Sequence, residues 1–289
     1  MAQQSGDDVT PFGPADAIMP KDMARHAEQI GADKAEQDAL SLFALAMLAG
    51  AYVAFGATFA AAVTAGFDGA VPAGFANLVG GLAFTLAYVL AIVGGAELFT
   101  TNVLMTMAWA HGRLPTLWLL RAWSLVFAGN FLGAATTALL LIAAGQHAEA
   151  DGAVGASLLA SAARIDGLTV TQALLLGLLG NTLLCLGVWL TYSARTTTDR
   201  ILALTPPVAA FYALGLEHAV AVMFYLPSAL WLGLLAEPDF WAGIGGQPLD
   251  LTAAGFARAL ASISLGNILG GGGLVALAYW FVYLRPERR

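Results

Sequence analysis

Charged side chains are scarce in this sequence: Asp, Glu, Lys and Arg make up only 11% of its 289 residues. Soluble domains carry about 25% charged residues, and about half of their residues are apolar. Here 59% of the residues are hydrophobic and the mean hydropathy is +0.75. A soluble protein of this length has no means of burying so much apolar surface. The composition therefore predicts an integral membrane protein.

Cysteine is almost absent as well. Cys185 is the only one in the sequence, which excludes a disulfide framework within one chain and any multi-cysteine metal site. A signal-peptide pattern is missing as well: the N-terminus is polar and acidic at Gly6–Asp8, and it has no basic region followed directly by an apolar run. We therefore expect no cleavable signal peptide.

What the chain has instead is long apolar runs. A membrane-spanning helix needs about 20 apolar residues, and six runs are long enough. They cover Leu40–Phe67, Gly69–Ala96, Ala122–Gln146, Gly167–Ala194, Ile201–Ala236 and Ala259–Leu284. The segment Gly94–Asn102 interrupts the second run, which resumes to about Ala110, and Gly215–His218 interrupts the fifth. The sequence thus predicts an all-α membrane protein of six transmembrane helices in which spans two and five are broken.

Basic residues predict the orientation of these spans. Ten of the twelve Lys and Arg residues fall on one side: Lys21, Arg25, Lys34, Arg113, Arg121, Arg195, Arg200, Arg285, Arg288 and Arg289. Arg164 and Arg258 lie in the other loops, among acidic residues. Because cytoplasmic loops are rich in Lys and Arg, both termini are expected in the cytoplasm, with the protein in the inner (plasma) membrane.

Three parts of the chain follow from these patterns. Residues 1–38 form a polar N-terminal segment, residues 39–285 a transmembrane channel domain, and residues 286–289 a short C-terminal tail, both ends being cytoplasmic. Apolar residues recur at helical spacing within Lys21–Lys34. This favours a short amphipathic helix at the membrane face, and the alternative is a solvated tail.

An internal repeat links the two halves. Gly129–Gly133 in span three and Gly266–Gly270 in span six share the pattern Gly-Asn-x-Leu-Gly. Each follows a broken span with a glutamate at its break, Glu97 or Glu217. Three spans in each half make the second half inverted relative to the first, which indicates a pathway near the bilayer midplane. A chance match in a Gly-rich protein is the weaker alternative.

The Glu217–His218 pair is the most informative feature of the fifth run, since no other charged residue occurs in Ile201–Ala236. Ionisable residues at this depth usually face a bundle interior or a wet cavity and act on ions or protons. The alternative is a structural pair at a kink. At the breaks, Thr100, Thr101 and His218 offer donors to an anion beside exposed backbone N–H groups.

Two further roles are expected for polar residues near the breaks. Asn181 is a lone amide in span four and is expected to hold the His218 ring by a hydrogen bond. Because a carboxylate in the pathway repels anions, Glu97 and Glu217 are expected to be structural and to bond backbone N–H groups at the breaks. Proton relay by these glutamates is the alternative.

Several motifs together resemble the formate/nitrite transporter family. They are Gly95–Thr101, Asn181 with Cys185–Trp189, Tyr192–Arg195, Gly215–His218 and Gly266–Gly271. The resemblance covers about Pro20 to Arg285. It implies an aquaporin-like fold, a homopentamer and one pore in each protomer for a small monovalent anion such as formate, nitrite or hydrosulfide.

The resemblance also assigns roles to single residues. His218 is similar to the central pore histidine, Thr100 to the threonine of the loop that breaks span two, and Asn181 to the amide facing that histidine. Residues similar to the constriction residues are Phe84, Leu98 and Phe211. Three positions depart from the family pattern: Val222 replaces an asparagine, Arg164 replaces a lysine that draws anions to the outer mouth, and Tyr88 replaces a smaller apolar constriction residue.

These observations predict a channel or proton-linked transporter for a small monovalent anion and its proton, without a cofactor, and not an enzyme. An anion crossing apolar constrictions meets a steep desolvation cost, which protonation removes. His218 is the one side chain in the predicted pore that titrates near neutral pH. The alternatives are a neutral-solute channel, for which Arg164 and the threonines are not needed, and a non-transporting membrane scaffold or sensor.

Overall fold

The computed structural model describes residues 17–67 and 69–285, and every regular element in these ranges is a helix. In chain order the α-helices are α1 (Pro20–Glu36), α2 (Ala39–Thr64), α3 (Ala73–Gly94), α4 (Phe99–Asn102), α5 (Thr106–His111), α6 (Thr116–Ala143), α7 (Ala153–Asp166), α8 (Val170–Thr191), α9 (Thr197–Ala213), α10 (Ala219–Leu235), α11 (Pro238–Ile244) and α12 (Ala253–Asn267). Short 3₁₀ turns cover Val103–Met105 and Gln146–Ala148, and π-helical segments at Ile268–Leu277 and Trp280–Leu284 extend α12.

Five helical stretches are long and apolar enough to cross a membrane. They are α2, α3, α6, α8 and the stretch Ala253–Leu284, with mean hydropathies between 1.6 and 2.0. A sixth is possible if α10 and α11, bent by 119° at the loop between them, are counted as one span. The fifth apolar run of the sequence is divided between α9 and α10, each of 17 residues.

Glycine ends the helices at both predicted breaks. Gly95 follows α3 with φ +79°, and Gly215 follows α9 with φ +64°. Side chains with a Cβ rarely adopt this left-handed conformation, so glycine stops each helix at little steric cost. The chain then runs without helix until α4 begins at Phe99 and α10 at Ala219. Both predicted glutamates lie in these gaps.

Close packing of two helix pairs also depends on small residues. A Cβ on Gly133 of α6 would overlap the backbone carbonyl of Met47 in α2, and one on Gly270 would overlap that of Leu178 in α8. In a bilayer, where burial of apolar surface drives little helix association, such close contact supplies much of the attraction. The repeated Gly-Asn-x-Leu-Gly motif therefore places its last glycine at equivalent helix contacts.

One face of α1 packs against the protein. Its buried residues are Met23, Ala24, Ala27, Glu28, Gly31, Ala32 and Ala35. Arg121 of α6 donates to the carbonyl oxygens of Ala35 and Gln37 at 3.3–3.4 Å, and Arg113 lies 3.5 Å from Glu28. These contacts fix α1 over the ends of α5 and α6. Residues 1–16 and 286–289, at the two ends predicted to be cytoplasmic, lie outside the described ranges.

Two glycines of the same π-helical segment give a matched test of this packing. We expect Gly270→Ala to destabilise the protein by about 1–3 kcal/mol, because the added methyl group meets the Leu178 carbonyl. Gly273→Ala is the control, since a Cβ there has no atom within 4 Å. The thermal midpoint of the purified protein in detergent measures both. Equal midpoints for the two variants would contradict the packing argument.

Candidate solute pathway

Asn130 of α6 bridges the gap that follows α3. Its Oδ1 accepts a hydrogen bond from Phe99 N at 2.8 Å, at the start of α4. Its Nδ2 donates to the carbonyl oxygens of Ala46 at 2.7 Å and Glu97 at 2.8 Å. The side chain is fully buried. One amide therefore pairs Phe99 N and Glu97 O, which the helix ends leave without partners, and joins them to Ala46 in the middle of α2.

Asn267 of α12 does the same at the gap that precedes α10. Its Oδ1 accepts from Ala219 N at 2.8 Å, and its Nδ2 donates to Gly177 O at 2.8 Å and Glu217 O at 3.2 Å. Asn130 and Asn267 are the asparagines of the repeated Gly-Asn-x-Leu-Gly motif. The motif is visible in the sequence, but no local pattern indicates that its asparagine pairs the backbone of a helix break.

The glutamate side chains have a different role from the one expected. Instead of bonding backbone N–H groups, Glu97 Oε2 accepts from Lys34 Nζ at 2.7 Å, and Lys34 also donates to Asn102 Oδ1 at 2.9 Å. Glu217 Oε1 lies 2.5 Å from Arg164 Nη2. The backbone groups take the asparagines as partners because a neutral amide both donates and accepts, whereas a carboxylate only accepts. Each buried carboxylate is left with a cation beside it.

A cavity of about 170 Å³ lies under α1, and we call it the Lys34 cavity. Its lining includes His26, Lys34, Ala91, Glu97, Thr101 and Arg200. Burial lowers the pKa of His26 below its ordinary value, and the charge of Arg200 lowers it further. At neutral pH the cavity therefore keeps its positive charge mainly on Lys34 and Arg200, with Glu97 compensating Lys34.

A second cavity, of about 290 Å³, lies beside α7, and we call it the Arg164 cavity. Its lining includes Asn77, Phe84, Arg164, Phe211, Glu217 and Tyr225. The Arg164 side chain is 47% exposed, whereas that of Glu217 is 3% exposed. Arg164 thus presents a partly solvated positive charge at the mouth, while its partner is buried behind it.

A wall of buried side chains separates the two cavities. Along α3, Phe84 lines the Arg164 cavity and Ala91 lines the Lys34 cavity. At 1.5 Å per residue these positions are about 10 Å apart. Tyr88 lies between them and is fully buried, as are His218 and Leu98.

Aromatic rings enclose the imidazole inside this wall. The His218 ring centroid lies 5.4 Å from that of Phe211, 6.0 Å from Phe84 and 6.1 Å from Tyr88. His218 itself is the residue that precedes α10, so the gap in the backbone brings it to this position. The constriction residues assigned by resemblance, Phe84 and Phe211, therefore meet the imidazole directly.

Several polar atoms in the wall have no hydrogen-bond partner among the residues that the structure describes. They are both ring nitrogens of His218, Thr100 Oγ1, Tyr88 Oη and Asn181 Oδ1. Leaving a buried polar group unpaired costs about 1–3 kcal/mol. Asn181 does not hold the imidazole as expected, since its Nδ2 donates to the carbonyl oxygens of Thr100 and Asn267, each at 2.8 Å. The wall thus contains hydrogen-bonding groups that the described part of the protein leaves unused.

The formate/nitrite transporter family model matches residues 21–281. The chain belongs to the formate/nitrite transporter family. It is 39% identical over 278 residues to the formate channel FocA of Escherichia coli (strain K12), which covers 95% of this chain and 97% of that protein. It is 36% identical over 267 residues to the formate channel FocB of the same strain, covering 90% of this chain and 93% of FocB.

Solved structures agree with this assignment. A pentameric formate channel with formate bound has a TM-score of 0.80 and 38% identity, and the match covers 86% of this chain and 98% of that one. Together with the apolar helices, membership of the family makes the chain a multi-pass membrane protein that acts in transport and not as an enzyme. The family predicted from the sequence motifs is confirmed.

The asparagine bridges allow a direct test. Asn267→Leu removes all three hydrogen bonds around the α10 gap, and Asn267→Asp keeps only the acceptor for Ala219 N. Because each unpaired buried group costs about 1–3 kcal/mol and a carboxylate facing the carbonyl oxygens of Gly177 and Glu217 costs more, we expect stability to fall in the order wild type, Leu, Asp. Thermal midpoints of the detergent-solubilised variants measure this order. A leucine variant as stable as the wild type would show that the bridge is dispensable.

Proposed function

We propose that this chain is a channel or proton-linked transporter for a small monovalent anion, formate or nitrite above all, in the inner membrane. The observation that carries the proposal is the wall of buried, unpaired donors between two cavities that each contain a basic side chain. Relatives named as formate channels support formate as substrate. The pentameric relative with formate bound supports a homopentamer with a pathway in each protomer.

The proposed architecture is six spans in two inverted, aquaporin-like repeats. Span two consists of α3 with α4 and α5, and span five of α9 with α10. Equivalent contacts in the two halves support this pairing: Asn130 corresponds to Asn267, and the Lys34–Glu97 pair to Arg164 and Glu217. The repeat then also includes α1 and α7, which supply these two cations ahead of the first span of each half.

Orientation follows from the distribution of basic residues. We propose that residues 1–38 and the C-terminal tail at 286–289 are cytoplasmic and flank the channel domain at 39–285. The Lys34 cavity then opens towards the cytoplasm and the Arg164 cavity towards the outside, because an odd number of spans separates α1 from α7.

In this mechanism an anion collects in a cavity, where a positive charge raises its local concentration. To cross the wall it gives up hydration, at a cost that the wall donors offset in part. Taking a proton within the wall removes the remaining charge. His218 either supplies that proton or holds the anion while water supplies it.

A proteoliposome uptake panel tests the function. It compares formate, nitrite, acetate, lactate, hydrosulfide and glycerol at two pH values. We expect formate or nitrite to enter fastest and glycerol not at all. Fast glycerol entry without anion uptake would instead identify a neutral-solute channel, and no uptake of any solute would favour a scaffold or sensor.

His218→Asn separates the two proton sources. Asparagine keeps a polar side chain but does not titrate, so we expect the variant to lose the His-dependent rise of formate uptake at mildly acidic pH. We expect the variant to keep slow formate permeation that does not show this pH response. If wild type and variant share the same steep pH profile, the proton comes from water or from the free acid. Initial uptake rates between pH 5 and 8 measure the difference.

Arg164→Gln tests the charge at the mouth. Since exposed charges act over about 10 Å at 0.1 M salt and further at lower salt, formate uptake should fall most at low ionic strength. Arg258→Gln is a matched control, because Arg258 is similarly exposed and pairs with Asp166 instead of a cavity residue. If formate uptake has the same salt dependence in both variants, Arg164 does not attract the anion.

A further inference from the structure

Tyr88 occupies the middle of the wall between the two cavities. On α3 it follows Phe84, which lines the Arg164 cavity, by four residues, and it precedes Ala91, which lines the Lys34 cavity, by three. Its side chain is fully buried. Its ring meets that of His218 edge-on, with centroids 6.1 Å apart. A solute that moves between the cavities therefore passes the phenol.

The Tyr88 hydroxyl is held only weakly within the part of the chain that the structure describes. Tyr88 Oη and the Thr100 hydroxyl lie close to each other, but neither has a hydrogen-bond partner in regular geometry there. A phenylalanine would fill nearly the same volume without leaving a buried hydroxyl unpaired, which costs about 1–3 kcal/mol. The unsatisfied groups of Tyr88, Thr100 and His218 come from three separate elements, yet all lie in the same wall. This convergence identifies a place for a hydrogen-bonding ligand that the protein alone does not fill.

We propose that Tyr88 is a specificity-determining residue of the pathway, with two effects. Its hydroxyl donates a hydrogen bond to an oxygen of a small oxyanion, or of the conjugate acid, during passage. Its ring, which lies edge-on to that of His218, sets the width of the wall, so that solutes of the size of formate or nitrite pass and a carboxylate with a methyl group is held back. This inference rests on the proposed transport of small monovalent anions.

The chemistry of the wall explains why a phenol suits this position. A carboxylate or nitrite carries lone pairs on two oxygens and loses its water on entering an apolar passage. A neutral O–H donor replaces one of those hydrogen bonds without adding a fixed charge. The anion is thus stabilised in transit. A buried lysine or arginine would bind it more tightly, and binding that tight would prevent conduction.

Two substitutions separate the effects of the hydroxyl and the ring. Tyr88→Phe keeps the ring and removes the donor, so formate uptake into proteoliposomes should fall about tenfold, as expected for one hydrogen bond to a charged group. The ratio of formate uptake to acetate uptake should stay as high as in the wild type, because the ring is kept. Tyr88→Leu removes the ring, so acetate and lactate should gain severalfold relative to formate. Tyr283→Phe, near the end of the last helix and away from both cavities, is the control for loss of a phenol hydroxyl.

The outcomes are distinguishable. Size-exclusion profiles and thermal midpoints first establish that each variant is assembled. Wild-type formate uptake in Tyr88→Phe, together with unchanged selectivity in Tyr88→Leu, would overturn the inference while leaving the proposed function intact. A Tyr88→Phe loss that is equally large for water permeation, measured by light scattering, would also overturn it, because it would indicate altered packing. A wild-type protein that carries no anion would instead refute the proposed function, and this inference with it.

Discussion

Two amide side chains, Asn130 and Asn267, satisfy the backbone that is exposed where α3 and α9 end, and the proposed pathway depends on them. In hydrocarbon a freed N–H or C=O group finds no water, so non-helical backbone persists only where protein or a cavity supplies partners. Each asparagine takes one backbone donor and two backbone acceptors, drawn from three different segments. The gap at Leu214–His218 in turn brings the imidazole into the wall. Without the bridges, these buried backbone groups would lose their partners, at a cost of about 1–3 kcal/mol each.

Charge is distributed so that the wall itself holds no permanent cation. Lys34 and Arg164 belong to the cavities and are each balanced by a buried glutamate, while the wall contributes hydroxyls, an amide oxygen and an imidazole. Removing either cation would leave a buried carboxylate uncompensated, which is destabilising. The pairs therefore stabilise the two gaps and also determine the electrostatic field at the two cavities. A substitution of Arg164 changes both the stability of its gap and the field at its cavity.

Much of this arrangement could be predicted from the sequence, because charge is so rare within the apolar runs that Glu97, Glu217 and His218 stand out. Glycine at positions 95 and 215 likewise marks where helices end. The partners could not be predicted. Lys34 meets Glu97 across 63 positions, and Asn267 meets Gly177 across 90, and no local pattern encodes such distances. The sequence showed the Gly-Asn-x-Leu-Gly repeat, but only the packed helices show that its asparagine faces a gap and its last glycine a neighbouring carbonyl.

In the proposed pathway, passage of an anion through the wall is a compromise between attraction and release. A site that fully replaced the hydration of an anion would hold it, and one that replaced none would exclude it. The wall contains unpaired polar groups from several helices, and it separates two cavities that lie about 10 Å apart along α3. Burying these groups unpaired lowers the stability of the empty protein, and a solute entering the wall recovers part of that cost. The same free energy that the fold forgoes therefore lowers the barrier for an anion, or for its neutral acid once a proton has been added.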